Sequence, residues 1–244
     1  MKVPTFVTHT FRNATAGLFL LFAATMPATN ALASLSPGIT FTPTLAFNNV
    51  ESTTLGWVFD LSAPIWVSDL GYYDFSSDPN QPQSIWCCSP DTRTSGGLLD
   101  NHIVGIFNGV GTLLTSTTVP SGTAGTLVGN SRYVPIPTIE LTPGQYFVEG
   151  TQQGSSGISP TDPVGFDFSA FTAMPEISYT HGVYTFGTPD VLTFASSGGY
   201  AAYIGPDFLA SDEPPTTTPE PRYALVLAAG LAALWLMTKR RRTV

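Results

Sequence analysis

Apolar and polar residues alternate with a period of two along much of this chain, a pattern that predicts strands rather than helices. Val164, Phe166 and Phe168 alternate with Gly165, Asp167 and Ser169, so one face is buried and the other wet. Apolar runs rich in β-branched and aromatic residues predict strands over 55–61 and 65–75, joined at Ala63-Pro64. Two more, 102–107 and 112–119, flank Asn108-Gly109-Val110-Gly111, which is hairpin-turn chemistry. The stretch 132–139 carries two prolines and is therefore expected at a sheet edge. Leu141-Thr142-Pro143-Gly144 turns into a strand over 146–151, and strands over 177–186, 191–194 and 200–204 complete the series. Nothing between Ser34 and Ser211 sustains a helical period.

The fold class expected is all-β, a two-layer β-sandwich of jelly-roll or immunoglobulin-like type. Gly 23 and Pro 21 supply the turn clusters between strands. Tyr146, just after the corner at 141–144, resembles the tyrosine corner of Greek-key sandwiches. About 180 residues between 34 and 211 suffice for one sizeable core.

The two ends follow other patterns. Lys2 and Arg12 precede an apolar run over 14–24, Pro27 breaks it, and Ala31-Leu32-Ala33 before Ser34 is a small-x-small cleavage pattern. Residues 1–33 are thus expected to be a secretory signal peptide. Residues 212–221 form a Pro/Thr-rich stalk, and 222–244 an apolar segment with a basic end. Its core, 223–237, has no charge and no proline. As a helix it would span about 22 Å, short of a bilayer core of about 30 Å, with Arg222 and Lys239 able to snorkel outward. It has no polar face, and Lys239 to Arg242 follow, so a transmembrane helix with its basic end in the cytoplasm is expected.

Pro219-Glu220-Pro221, the apolar segment with Gly230, and Arg240, Arg241 and Arg242 stand in the order of a PEP-CTERM sorting signal, which this tail resembles. Thr218 stands where valine is common in that family. The resemblance implies an exported protein of a Gram-negative bacterium, held in the inner membrane and processed by an exosortase-type enzyme. A plain tail anchor with a proline-rich stalk is the alternative. The runs 55–59, 69–74, 101–107 and 111–114 also resemble exported β-domains that precede such tails; that resemblance names no activity.

Charge narrows the partners. All 17 acidic residues lie between Glu51 and Glu220, and only Arg93 and Arg132 are basic between Ser34 and Thr218. Such a surface repels phosphate backbones, so no nucleic-acid partner is expected. Cys87 and Cys88 are the only cysteines and are adjacent; a vicinal disulfide would be strained, and free thiols or bonds to another chain are the alternatives. Trp86 beside them is a candidate ligand contact, or simply tucks its loop onto the sandwich. His102 is read as a structural histidine paired with Asp100 at the strand's mouth. Asp74, Asp78, Asn80 and Asp100 are considered as calcium ligands, although their spacing matches no calcium loop. No catalytic motif is present, and no catalytic residue, cofactor or metal is expected.

Three functions follow. The first is a surface or matrix protein with a structural or adhesive role and no catalysis. A second is a carbohydrate-binding module that stacks exopolysaccharide on Trp57, Trp66 or Trp86. The third is a secreted hydrolase, which needs a cleft with two perturbed carboxylates.

Overall fold

The computed structural model describes residues 34–47, 52–78, 85–86, 96–152, 162–188, 190–200 and 203–215. All belong to one compact unit, Ala33–Val244. The expected signal-cleavage residues Ala31 and Ala33, the pair Cys87-Cys88 and the tail with Pro219 to Pro221 and Arg240 to Arg242 lie outside the described residues. Among the described residues no helix is long and apolar enough to cross a membrane.

The described chain is all-β. Its first strands are β1 (Ser36–Pro37), β2 (Ile39–Phe47), β3 (Thr53–Leu61), β4 (Ile65–Tyr73) and β5 (Ile85–Trp86). A single 3-10 turn, Phe75–Ser77, follows β4. Next come β6 (His102–Asn108), β7 (Leu113–Val119), β8 (Thr126–Val128), β9 (Ser131–Leu141) and β10 (Gly144–Gln152). The last are β11 (Val164–Ala173), β12 (Ile177–Phe186), β13 (Ser197–Tyr200) and β14 (Pro206–Ser211). They form a five-stranded sheet (β1-β14-β4-β9-β8), a six-stranded sheet (β13-β12-β3-β10-β6-β7) and a three-stranded sheet (β11-β2-β5). Every pairing is antiparallel except β2 with β5.

The main core gathers Leu55, Trp57 and Phe59 of β3, Val148 of β10, Leu70 and Tyr72 of β4, and Phe208 of β14. Trp57 stacks on Phe208 with centroids 5.8 Å apart, so the six-stranded sheet packs on the five-stranded one. The next residue, Val58, points the other way and joins Phe107, Phe147, Val183 and Ala195 in a smaller cluster. β3 is therefore covered on both faces, which explains why it reads as a nearly unbroken apolar run rather than an alternation.

Several expected details are present. Gly111 takes φ +83° at the end of the 108–111 turn, where its amide donates to Asn108 O at 2.9 Å. Asn108 Oδ1 accepts from the amides of Val110 and Thr112, at 3.2 and 2.9 Å. Tyr146 Oη donates to Thr142 O at 2.8 Å, which is the contact that makes a tyrosine corner. β9 is only partly an edge. Ser131 to Tyr133 pair with β8 on one side and β4 on the other, whereas among the described residues Pro135 and Ile139 to Leu141 pair with β4 alone.

The stretch 191–194 is not a strand. It crosses the outer face of the six-stranded sheet, where Leu192 and Phe194 cover the smaller core cluster. β13 takes the place beside β12 instead, and this apolar run is used as a cover. Ile204 makes only an isolated bridge to Gly165. β2 and β14 are additional strands that the pattern did not predict.

Candidate functional site

Four buried polar clusters hold the candidate chemistry, and each begins on a regular strand. The first starts at His102, the opening residue of β6, whose side chain is fully buried. Its Nδ1 lies 2.6 Å from Thr151 O and its Nε2 lies 3.0 Å from Asp162 Oδ2. Both ring nitrogens thus face oxygen acceptors, and the ring has no nitrogen left for a substrate. Asp162 also accepts the amides of Leu99, at 2.7 Å to Oδ2, and Asp100, at 3.0 Å. Gln152 Nε2 donates to Asp162 O at 2.9 Å. His102 and Asp162 therefore clasp the start of β6 to the end of β10 and to the chain two residues before β11.

Tyr72 stacks on His102 with centroids 3.6 Å apart and planes 5° from parallel. Its hydroxyl is buried with no hydrogen-bond partner among the described residues. Burial, then the charges of Asp162 and Asp100, hold this phenol well above its ordinary pKa. The expected His102–Asp100 pairing is corrected here: Asp162, sixty positions away, holds the imidazole, while the Asp100 backbone amide joins the same carboxylate.

Arg132 builds the second cluster. Its Nε donates to Asp74 Oδ2 at 2.6 Å and its Nη1 to Gly125 O at 3.2 Å. Asp74 Oδ1 accepts Ser76 Oγ at 2.6 Å and the Ser76 amide at 3.1 Å, capping the 3-10 turn. Tyr73 Oη donates to Asp78 Oδ2 at 2.8 Å. Two of the considered calcium ligands are thus engaged by protein donors. Asn80 lies outside the described residues, and no metal-ligating cluster occurs among those described. Replacing Arg132 with methionine should destabilise the protein by about 3 kcal/mol, because it strands a buried carboxylate. Denaturant unfolding checks this, and adding Asp74→Asn should recover part of the loss.

The remaining clusters are single carboxylates. Tyr133 lies over Gly71 and reaches Asp207, Oη to Oδ2 at 2.7 Å. A Cβ on Gly71 would sit 2.4 Å from the Tyr133 ring, so this crossing needs a glycine. Burial pushes Asp207 up to about 7, against hydrogen bonds from Tyr133 and from the amides of Phe208 and Ile39. Glu149, on β10, is fully buried on the outer face of the six-stranded sheet. Its one partner among the described residues is the Ala195 amide, at 3.0 and 3.2 Å to the two oxygens. Burial pushes Glu149 up to about 8. The two perturbed carboxylates are buried on strands of different sheets and share no hydrogen-bond partner among the described residues.

The tryptophans divide. Trp57 is fully buried, with Nε1 donating to Pro206 O at 2.8 Å, which removes it as a sugar platform. Trp66 is half-buried on β4. The backbone of Trp86 pairs with Phe47 in β5, and its side chain lies outside the described residues. Asp162, Glu149 and Asp207 were not among the candidates read from sequence. Only Glu149 carries a local signal, a carboxylate directly after the apolar run Tyr146-Phe147-Val148.

Comparison with family models, curated proteins and solved structures finds no match for this chain.

Proposed function

We propose that this is an exported surface or extracellular-matrix protein with a structural or adhesive role and no catalysis. It is sorted through a PEP-CTERM-type tail by an exosortase-type enzyme of the inner membrane. The exported part is a two-layer β-sandwich, jelly-roll or immunoglobulin-like. The observation that carries this reading is the order of parts in the chain. A secretory signal pattern precedes the β-domain, and Pro219-Glu220-Pro221, an apolar segment and Arg240 to Arg242 follow it. The buried clusters support the structural half, since His102, Asp162, Asp74 and Arg132 are all engaged in holding segments of the fold together. Exopolysaccharide or another surface protein is the partner class that suits such a product. A carbohydrate-binding role would have to rest on Trp66 or Trp86, because Trp57 is buried.

Intact-mass analysis of the protein from the envelope and medium of its native host tests the proposal. A species that begins near Ser34 and ends near Pro221, or carries a group attached there, is expected. A membrane-bound chain that still ends at Val244 would overturn the sorting reading and leave a plain anchor.

A further inference from the structure

Five acidic side chains are buried among the described residues, and four of them are held by another side chain: Asp74 by Arg132, Asp78 by Tyr73, Asp162 by His102 and Asp207 by Tyr133. Glu149 is the exception. Its one described partner is a backbone amide, and that amide belongs to residues 190–196, which cross the outer face of the six-stranded sheet. β10 lies between β3 and β6 and pairs with both, so Glu149 is fixed in the interior of the sheet. Gly56 and Gly105 stand on either side of it and carry no side chain. Leu192 comes so close to Gly105 that a Cβ there would lie 2.7 Å from its Cδ2.

The covering segment is lightly tied. Residues 191–196 are in no strand. Besides the Ala195 amide, the described hydrogen bonds from the segment to the sheet both use Thr54. Its Oγ1 donates to Val191 O at 3.5 Å and accepts the Thr193 amide at 3.1 Å. Packing of Phe194 on Phe147 and Phe107, with centroids 4.9 and 5.4 Å apart, adds an apolar hold.

We infer that residues 190–196 are a pH-sensitive strap: ionisation of Glu149 releases them from the sheet and uncovers the apolar patch of Val58, Phe107, Phe147 and Val183, while the strand pairing persists. A carboxylate needs water or several donors, and the closed strap offers one amide. Reaching water by parting β10 from β3 or β6 would break a strand ladder, whereas lifting the strap breaks three described hydrogen bonds and the Phe194 contacts. The strap is therefore the element that yields. Strand alternation places Asp60 of β3 and His181 of β12 on this same face, and Asp190 begins the strap; these are its other charged or titratable groups among the described residues. Asp60 is engaged by Gln145, four residues from Glu149 along β10, and His181 packs against Gly198 of β13. At Glu149 itself burial raises the pKa, to about 8, and only the Ala195 amide opposes it. The proton is thus held and the strap closed at acidic pH, and the closed form is lost as pH rises towards about 8. The inference does not depend on how the chain is sorted.

The test uses the full chain in one detergent and follows amide hydrogen exchange relative to the unstructured rate at each pH, so that base catalysis of exchange cancels. In wild type, protection of the Thr193 and Ala195 amides should be about 30-fold or more lower at pH 9 than at pH 5. At every pH it should also lie well below the protection of the β3 and β10 amides. Glu149→Gln cannot ionise, so its strap protection should stay within about threefold over the same range. Thr54→Val keeps the carboxyl and removes two of the three hydrogen bonds that hold the strap. Its strap protection should drop about tenfold at pH 5 and reach its floor at a lower pH than in wild type, which keeps the test decisive if the glutamine variant does not fold. Strap protection that does not change with pH would overturn the proposal, as would an equal fall in Glu149→Gln. So would strap and β3 amides that share one protection value at each pH, since the segment would then be freed only by global unfolding.

Discussion

Replacing Trp57 with alanine should destabilise the domain by about 4 kcal/mol, enough to unfold a large fraction of molecules near physiological temperature. Three losses combine at this position. The indole is fully buried, so its removal leaves a cavity that neighbouring strands cannot close without breaking register. Its rings contact Phe59 at 5.0 Å, Phe208 at 5.8 Å and Tyr179 at 6.3 Å, tying three strands of the two facing sheets. Its Nε1 donor also satisfies Pro206 O, a carbonyl buried with it. Trp57→Phe should recover the packing but not the hydrogen bond, and so lose about 1–2 kcal/mol. Circular dichroism and urea unfolding of the three proteins check the order. A glycan-stacking tryptophan would behave otherwise: alanine would abolish sugar binding and leave the unfolding transition in place.

Contacts between near neighbours in the chain were legible in the sequence. The 108–111 turn and the Tyr146–Thr142 corner span three or four residues, and each has its own turn chemistry. Strands β3, β10 and β12 were legible too, because apolar and aromatic residues crowd both of their faces. β2 and β14 were obscured by their own polar content. Pro43 interrupts one, and Pro206 opens the other with Asp207 behind it. Buried Asp207 is met by Tyr133, 74 positions away, which crosses Gly71 to reach it. The His102–Asp162 clasp is likewise set by strand pairing rather than by spacing, so Asp100, two residues from the histidine, was the natural but incorrect partner. The run 191–194 shows the reverse error, for apolar residues that cover a face carry the same signature as residues within a strand.

Alkaline pH should weaken the protein, and Glu149→Gln should remove much of that weakness. The folded Glu149 carboxyl titrates near 8 rather than at its usual 4.5 because burial penalises its charged form. The folded state therefore holds a proton that the unfolded chain has already released. Stability is complete below about pH 4.5 and is lost as pH rises towards about 8. At about 1.4 kcal/mol per pH decade the full shift would approach 5 kcal/mol; local opening of residues 190–196 once the carboxyl ionises would limit the loss to about 2–3 kcal/mol. The surroundings offer little relief. On the flanking strands Glu149 stands opposite Gly56 and Gly105, and Val183 of β12 continues the row. From the covering segment it receives one amide, that of Ala195, while Val191 O and the Thr193 amide are tied to Thr54. Glutamine keeps an acceptor for Ala195 and cannot ionise. The variant should match wild type within about 1 kcal/mol at pH 5 and exceed it by about 2 kcal/mol at pH 9. Asp207, pushed up to about 7 from 3.8, adds an alkaline loss of the same sign in both proteins. General repulsion in a chain of net charge −8 also affects both equally, so the difference between their urea midpoints isolates Glu149. Parallel midpoint curves from pH 5 to pH 9 would mean that the carboxylate is already hydrated in the folded protein, and that residues 190–196 do not seal it.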